Sequence, residues 1–209
     1  TGMIEQDSGS GRYLLGSYAL DVGLSALGRL DPVRLAGHIL ENLCEDIQET
    51  VALAVWGNRG ATIVRIFDSG APITITLRAG TVLPLCKSAT GQAFAAFFRS
   101  PFLKQMLDQE LREISEGSKI AITAARRQLE KTLTEIRRHG ISRASGSLTP
   151  GINGFSAPVF DHSGMMVAAI TSLGAVGEFS VEWDSPVAKA MLAAAGDLSR
   201  KLGFNRPQR

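Results

Sequence analysis

The 209-residue chain is poor in the residues that usually announce chemistry. Cysteine occurs only as Cys44 and Cys86. There is no C-x-x-C, so the pair argues against a disulfide framework and for buried thiols in a reducing, cytoplasmic setting. Histidine is limited to His38, His139 and His162. None of them stands in H-x-x-x-H or H-E-x-x-H spacing, so neither a metal nor another cofactor is expected. Charge of one sign is missing too: the formal net charge is +2, too small to point to nucleic acid or a membrane surface. Aromatics make up 6% of the chain, with no stripe of them between basic residues. No apolar run approaches the roughly 18 residues of a membrane helix. The start, "TGMIEQDSGSG", has no apolar segment of a secretory signal and reads as a mobile tail or tag remnant.

What is present is ordinary for a globular domain, with 44% hydrophobic and 20% charged residues. In "DPVRLAGHILENLCEDIQ", Asp31 can cap a helix that Pro32 opens, and Leu35, Ile39, Leu43 and Ile47 recur every four residues. Three strands are expected next. "TVALAVWG" and "ATIVRIFD" are joined by "NRG" as a hairpin, and "PITITLRAG" alternates with the period of a half-buried strand. Helices follow through Phe98, after Pro101 and over about 123–139, the last with Ile122, Ala125, Leu129, Leu133 and Ile136 on one face. "NGFSAPVF" and "MMVAAITSLGA" flank "DHSG" as a second hairpin. A helix from Ser185 to about Leu202 ends on Gly203. Helices standing between two groups of strands indicate an α+β domain with an antiparallel sheet.

The stretch "LPLCKSATGQAFAAF", residues 83–97, gathers Cys86, Lys87, Ser88, Thr90 and Gly91 at the mouth of a helix. It is not a phosphate loop, since "SATGQ" lacks both the upstream glycine and the lysine. Ser88 has no G-x-S-x-G elbow around it. Cys86 stands near a helix start and beside Lys87, which would favour a thiolate, yet an isolated cysteine more commonly behaves as a small buried hydrophobe. The helix over 123–139 carries Arg126, Arg127, Lys131, Arg137 and Arg138 against Glu130 and Glu135 on its other face. That face reads as solvated and laced with i,i+4 pairs rather than as a nucleic-acid surface. His139 suits the negative end of that helix. Three functional classes stay open from the residues alone: a small-molecule sensor, an enzyme of acyl or thiol chemistry using Cys86 or Ser88, and a purely dimerising module.

Three segments together resemble the C-terminal effector-binding domain of the IclR family of bacterial transcriptional regulators. "GRYLLGSYALDVG" is similar to that family's Y-x-L-G stretch at the junction of its winged helix-turn-helix and sensor domain. "VLPLCKSATGQAFAAF" resembles P-L-H-A-[ST]-A-x-G-K-A-x-L-A. "RRHGISRASGSLTPGINGFSAPVFDHSGMMVAAITSLGA" resembles the family's R-x-x-G-[YF]-A-x-D segment and the two strands after it. The resemblance runs from about residue 11 to about residue 204.

It implies a GAF-like fold, a curved antiparallel sheet with helices on both sides, and no catalysis. It implies homodimers or homotetramers and no membrane partner. Operator DNA would be contacted only through an N-terminal domain for which there is no room before Tyr13. Residues 1–12 are then a tail, 13–30 the end of a linker with a first helix, 31–204 the effector-binding and oligomerisation domain, and 205–209 a second tail. The family's effector, a small organic acid, would sit at the amides of Ala89 and Thr90 beside Ser88. Thr171 with Leu173, and Ile152 with Gly154, would face it from the sheet, near Ala144, and Leu83 and Ile75 would form apolar wall. This chain has Ala144 and Ser145 at the family's acidic position, Gly154 and Leu173 where some members carry a polar cysteine and serine, Cys86 for the loop histidine and Gln92 for the helix lysine. These departures imply a roomier pocket suited to an aromatic or bulky carboxylate.

Overall fold

The computed structural model describes residues 2–7, 9–28, 30–70 and 77–205. It divides into two compact units, Thr1–Asp31 and Pro32–Arg209. In the first, strand β1 (Ile4–Gln6) pairs antiparallel with β2 (Tyr13–Leu15), and helix α1 spans Ser17–Leu27. The stretch expected as a tail therefore contains half of a β-ribbon. Its turn is held by Asp7, whose carboxylate accepts from the amides of Gly9 and Ser10, an Asx-type closure local enough to form without a core.

The second unit opens with α2 (Pro32–Leu35) and α3 (Gly37–Ile47), where one continuous helix was expected. Ala36, Leu40, Leu43 and Cys44 are the buried residues here, with Leu35 and Ile39 only half-buried. A strict four-residue stripe drifts around a 3.6-residue helix, so the core takes the 36, 40, 43, 44 face instead. Strands β3 (Thr50–Gly57) and β4 (Gly60–Phe67) form the expected hairpin, with Gly57 opposite Gly60. Gly60 has φ of +113°, a conformation open to glycine. Most of the expected strand "PITITLRAG" lies outside the described residues. Its end runs beside β4: Gly80 N donates to Ile63 O (2.7 Å), Ile63 N to Thr81 O (2.9 Å) and Leu83 N to Ala61 O (2.8 Å).

Helices α4 (Ala89–Phe97), α5 (Leu103–Ser118) and α6 (Ile122–His139) follow, then strands β5 (Ser142–Ser145), β6 (Ile152–Phe160) and β7 (Met166–Ala175), and finally α7 (Pro186–Lys201). The sheet order is β4-β3-β7-β6-β5, antiparallel throughout. Pro158, which has no N–H to give a neighbouring strand, stands beyond the end of β5's pairing with β6.

The α+β architecture is as expected, with helices on both faces of the sheet. Ser156 and Thr171 turn towards α4, while Phe155, Ala157, Val159 and Ile170, one residue out of phase, are fully buried on the side of α3 and α7. Outside α4, helices α5 and α6 pack through Ala95, Leu111, Ala125, Leu129, Leu133 and Ile136. The charged face of α6 is solvated, and its Arg126 pairs with Asp108 of α5 at 2.7 Å. His139, in the last turn, stacks on Trp183 with ring centroids 4.2 Å apart. Among the described residues no helix is long and apolar enough to cross a membrane.

Candidate ligand-binding site

Helix α4 is pinned to the sheet at both ends. At its C-terminal end Phe94 and Phe98 pack on Trp56 of β3, with centroids 5.6 and 4.6 Å from the indole. At its N-terminal end the anchor is polar. Thr90 Oγ1 and Thr171 Oγ1 are 2.8 Å apart, Thr171 Oγ1 and Ser156 Oγ 2.9 Å, and Ser142 Oγ donates to Ala89 O. Register explains the ladder: Ser142, Ser156 and Thr171 are directly opposite one another on β5, β6 and β7. Four buried hydroxyls thus satisfy one another or a carbonyl, as low dielectric demands.

The next cross-strand row is Ala144, Gly154 and Leu173. Two of these three side chains are almost nothing, and Leu173 leans over Gly154, where an added Cβ would lie 2.7 Å from Leu173 Cδ2. An open space remains between this row and the first turn of α4. The result is a cavity of about 490 Å³. Its floor is Ala144, Ile152, Gly154, Thr171 and Leu173, its rim Ser88, Ala89 and Thr90, and one wall Leu77 and Thr81–Pro84. The opposite wall is Leu148, Thr149 and Pro150, from the turn between β5 and β6.

Nine of the ten residues singled out in the sequence line this cavity: Leu83, Ser88, Ala89, Thr90, Ala144, Ile152, Gly154, Thr171 and Leu173. Ile75 lies outside the described residues. Sequence reasoning missed Leu77, Thr81, Val82 and the 148–150 wall. "GSLTPG" reads as a plain turn, and only the fold brings it over the cavity.

None of the described lining residues is charged. The polar groups on offer are hydroxyls and helix-start amides. Ser88 caps α4, its Oγ accepting from Gly91 N (2.8 Å) and donating to Pro84 O (2.7 Å). That leaves the amides of Ala89 and Thr90, first-turn positions with no carbonyl inside the helix to take them. A helix start of this kind favours negative charge. Gly91 is required by proximity, since a Cβ there would lie 2.1 Å from Pro84 O.

The nucleophile reading of the loop does not survive the geometry. Burial, with the Glu110 carboxylate beside it, pushes the Cys86 thiol up to about 12, so it is neither an activated nor a normally titrating cysteine. Ser88 Oγ is occupied by its two bonds and has no histidine beside it in the cavity lining. Glu110 of α5 escaped the sequence analysis entirely. Its two oxygens accept from Leu85 N at 2.8 Å and Cys86 N at 2.9 Å. Gln92 donates Nε2 to Cys86 O at 2.9 Å, while its own buried Oε1, like Asn153 Oδ1, has no donor among the described residues.

Comparison with known proteins places this geometry. Residues 24–200 match the family model described as "Bacterial transcriptional regulator IclR C-terminal". The solved structure of HmgR from Pseudomonas aeruginosa is 36% identical and superimposes with a TM-score of 0.86, covering 98% of this chain and 80% of that one. The transcriptional regulator KipR of Bacillus subtilis is 24% identical, over 97% of this chain and 80% of its own length. KdgR of Escherichia coli is likewise 24% identical, over 98% and 76%. KipR and KdgR are both transcriptional regulators of the helix-turn-helix type. The chain belongs to the IclR family of bacterial transcriptional regulators and corresponds to that family's C-terminal domain.

Proposed function

We propose that this domain senses an aromatic or otherwise bulky organic acid in the cavity between β6, β7 and the start of α4. The observation that carries the reading is a wall with no charged side chain among its described residues, around the helix-start amides of Ala89 and Thr90. A carboxylate would be met by the N–H groups of Ala89 and Thr90 and the positive end of α4. Thr90 Oγ1 and Thr171 Oγ1 would orient it, with Ser88 holding the cap. The hydrocarbon part would lie on Leu83, Ile152 and Leu173, over the small side chain of Ala144. A cavity of about 490 Å³ is far larger than a two- or three-carbon keto acid fills.

Sensing needs no chemistry. An acid that fits one arrangement of the domain better than another shifts the population, and the coupling alters operator affinity. The operator would be read by the family's winged helix-turn-helix, in a homodimer or homotetramer of a cytoplasmic regulator. Calorimetric titration with benzoate, 1-naphthoate, pyruvate and glyoxylate tests this. The aromatic acids should bind more tightly, and tighter binding of pyruvate would overturn the assignment.

A further inference from the structure

The loop 84–88, between the cavity wall and α4, is tied down from three directions. Ser147 Oγ donates to Lys87 O at 2.8 Å and Gln92 Nε2 to Cys86 O. Glu110 does the rest: two consecutive amides, Leu85 and Cys86, donate one to each of its oxygens at 2.8 and 2.9 Å. A carboxylate held by paired backbone amides is the arrangement an acid ligand would adopt at Ala89 and Thr90, three and four residues further along. One pair of donors is thus filled from within the chain, and Ala89 and Thr90 follow at the rim of the cavity.

We propose that Glu110 is the positioning residue of the acid site: by clasping Leu85 and Cys86 it sets the path of the loop and so the direction of the Ala89 and Thr90 amides. The proposal rests on the acid-sensing reading. Its physical basis is the shortness of the lever. Ser88 follows Cys86 by two residues, caps α4 through Gly91 N, and is bonded back to Pro84 O. Gly91 packs directly on the Pro84–Leu85 backbone. A loop freed at Leu85 and Cys86 is held against Gly91 only by the Ser147, Gln92 and Ser88–Pro84 bonds, so this contact and the cap loosen. Glutamine would be a poor substitute, because its NH₂ would face an N–H where a second acceptor is needed.

The 209-residue chain with Glu110→Gln and Glu110→Ala tests this. Amide exchange should accelerate about tenfold at Leu85 and Cys86 and spread to Gly91 and Gln92, since a half-buried charged acceptor is lost. Benzoate affinity should fall by about tenfold, in proportion to that loosening. Formate should restore slow exchange and benzoate binding in Glu110→Ala, where it fits the vacated carboxylate position, but not in the similarly sized Glu110→Gln. Glu110→Gln should also speed Cys86 alkylation above pH 9, because burial would then raise the thiol without the neighbouring charge adding to it. Unchanged exchange at Gly91 and Gln92, or unchanged benzoate affinity, would overturn the proposal. Should Glu110→Ala not fold, Glu110→Gln alone decides it on the same readouts. Failure of the wild-type chain to bind benzoate or 1-naphthoate would sink the acid-sensing reading instead, while the exchange pattern still shows whether Glu110 sets the first turn of α4.

Discussion

Alanine at Gly91 should separate a packing requirement from helix propensity, because the two act in opposite directions. In an ordinary helix interior Gly→Ala gains about 1 kcal/mol. At Gly91 the added Cβ would lie 2.1 Å from Pro84 O and 2.6 Å from Leu85 Cα. Carbon and oxygen do not approach below about 3.3 Å without strain. Helix and loop must therefore part by about 1 Å, and both obstacles are backbone. Overpacking of this kind costs about 3 kcal/mol, leaving a net loss of about 2 kcal/mol after the propensity gain. For a domain of this size that is a fall in Tm of about 4–8 °C. Gly196, in the middle of α7, is the matched control, since its Cβ would make only an ordinary contact with Arg200 Nη1 at 3.5 Å. Gly196→Ala should raise Tm by about 2–4 °C. Thermal unfolding of the two variants by circular dichroism decides the matter. A Gly91→Ala protein as stable as wild type would refute the close packing of α4 on the 84–85 backbone.

Thr171→Val keeps the shape of a side chain that is 1% exposed but removes its bonds to Thr90 and Ser156. Two stranded hydroxyls should cost about 2 kcal/mol in chemical denaturation, and a Thr90→Val/Thr171→Val double variant should recover part of it. A loss below about 0.5 kcal/mol would show that the ladder is not a buried network. Glu49 is pushed above the usual carboxylate range by burial, and Glu178 nearby adds to it. A carboxyl raised on folding keeps its full contribution below its unfolded value, near 4.5, and loses it as pH rises through the folded one. Glu49→Gln should therefore raise Tm at pH 7, with the difference from wild type closing by about pH 4. A gain that persists unchanged into acid would contradict the assignment.

Local physics was legible in the chain from the start. The leucine spacing of α6, the Pro186 start of α7 after its Ser185 cap, and the β3–β4 and β6–β7 hairpins all follow from periodicity and turn residues close in sequence. So did the helix start at Ser88; the family resemblance picked out Ile152 with Gly154 and Thr171 with Leu173, whose period-two spacing puts each pair on one face, and these nearly outlined the cavity. Strand β5 was not legible, because "SRAS" has neither alternation nor β-branched residues and is a strand only through its pairing with β6. The 148–150 wall, the break at Ala36 and the clasp of Glu110 were equally hidden.

These features depend on partners distant along the chain. Thr90 meets Thr171 across 81 residues and Glu110 meets Leu85 across 25. Amphipathic spacing says which face of an element is buried, but not which element covers it. The sequence by itself determined most of the helices and the two hairpins, and its resemblance to the family pointed to the amides at the mouth of α4. Only the tertiary structure brought Ala89 and Thr90 to the rim of a cavity none of whose described lining residues is charged, because register across three strands set Ala144, Gly154 and Leu173 in one row facing α4.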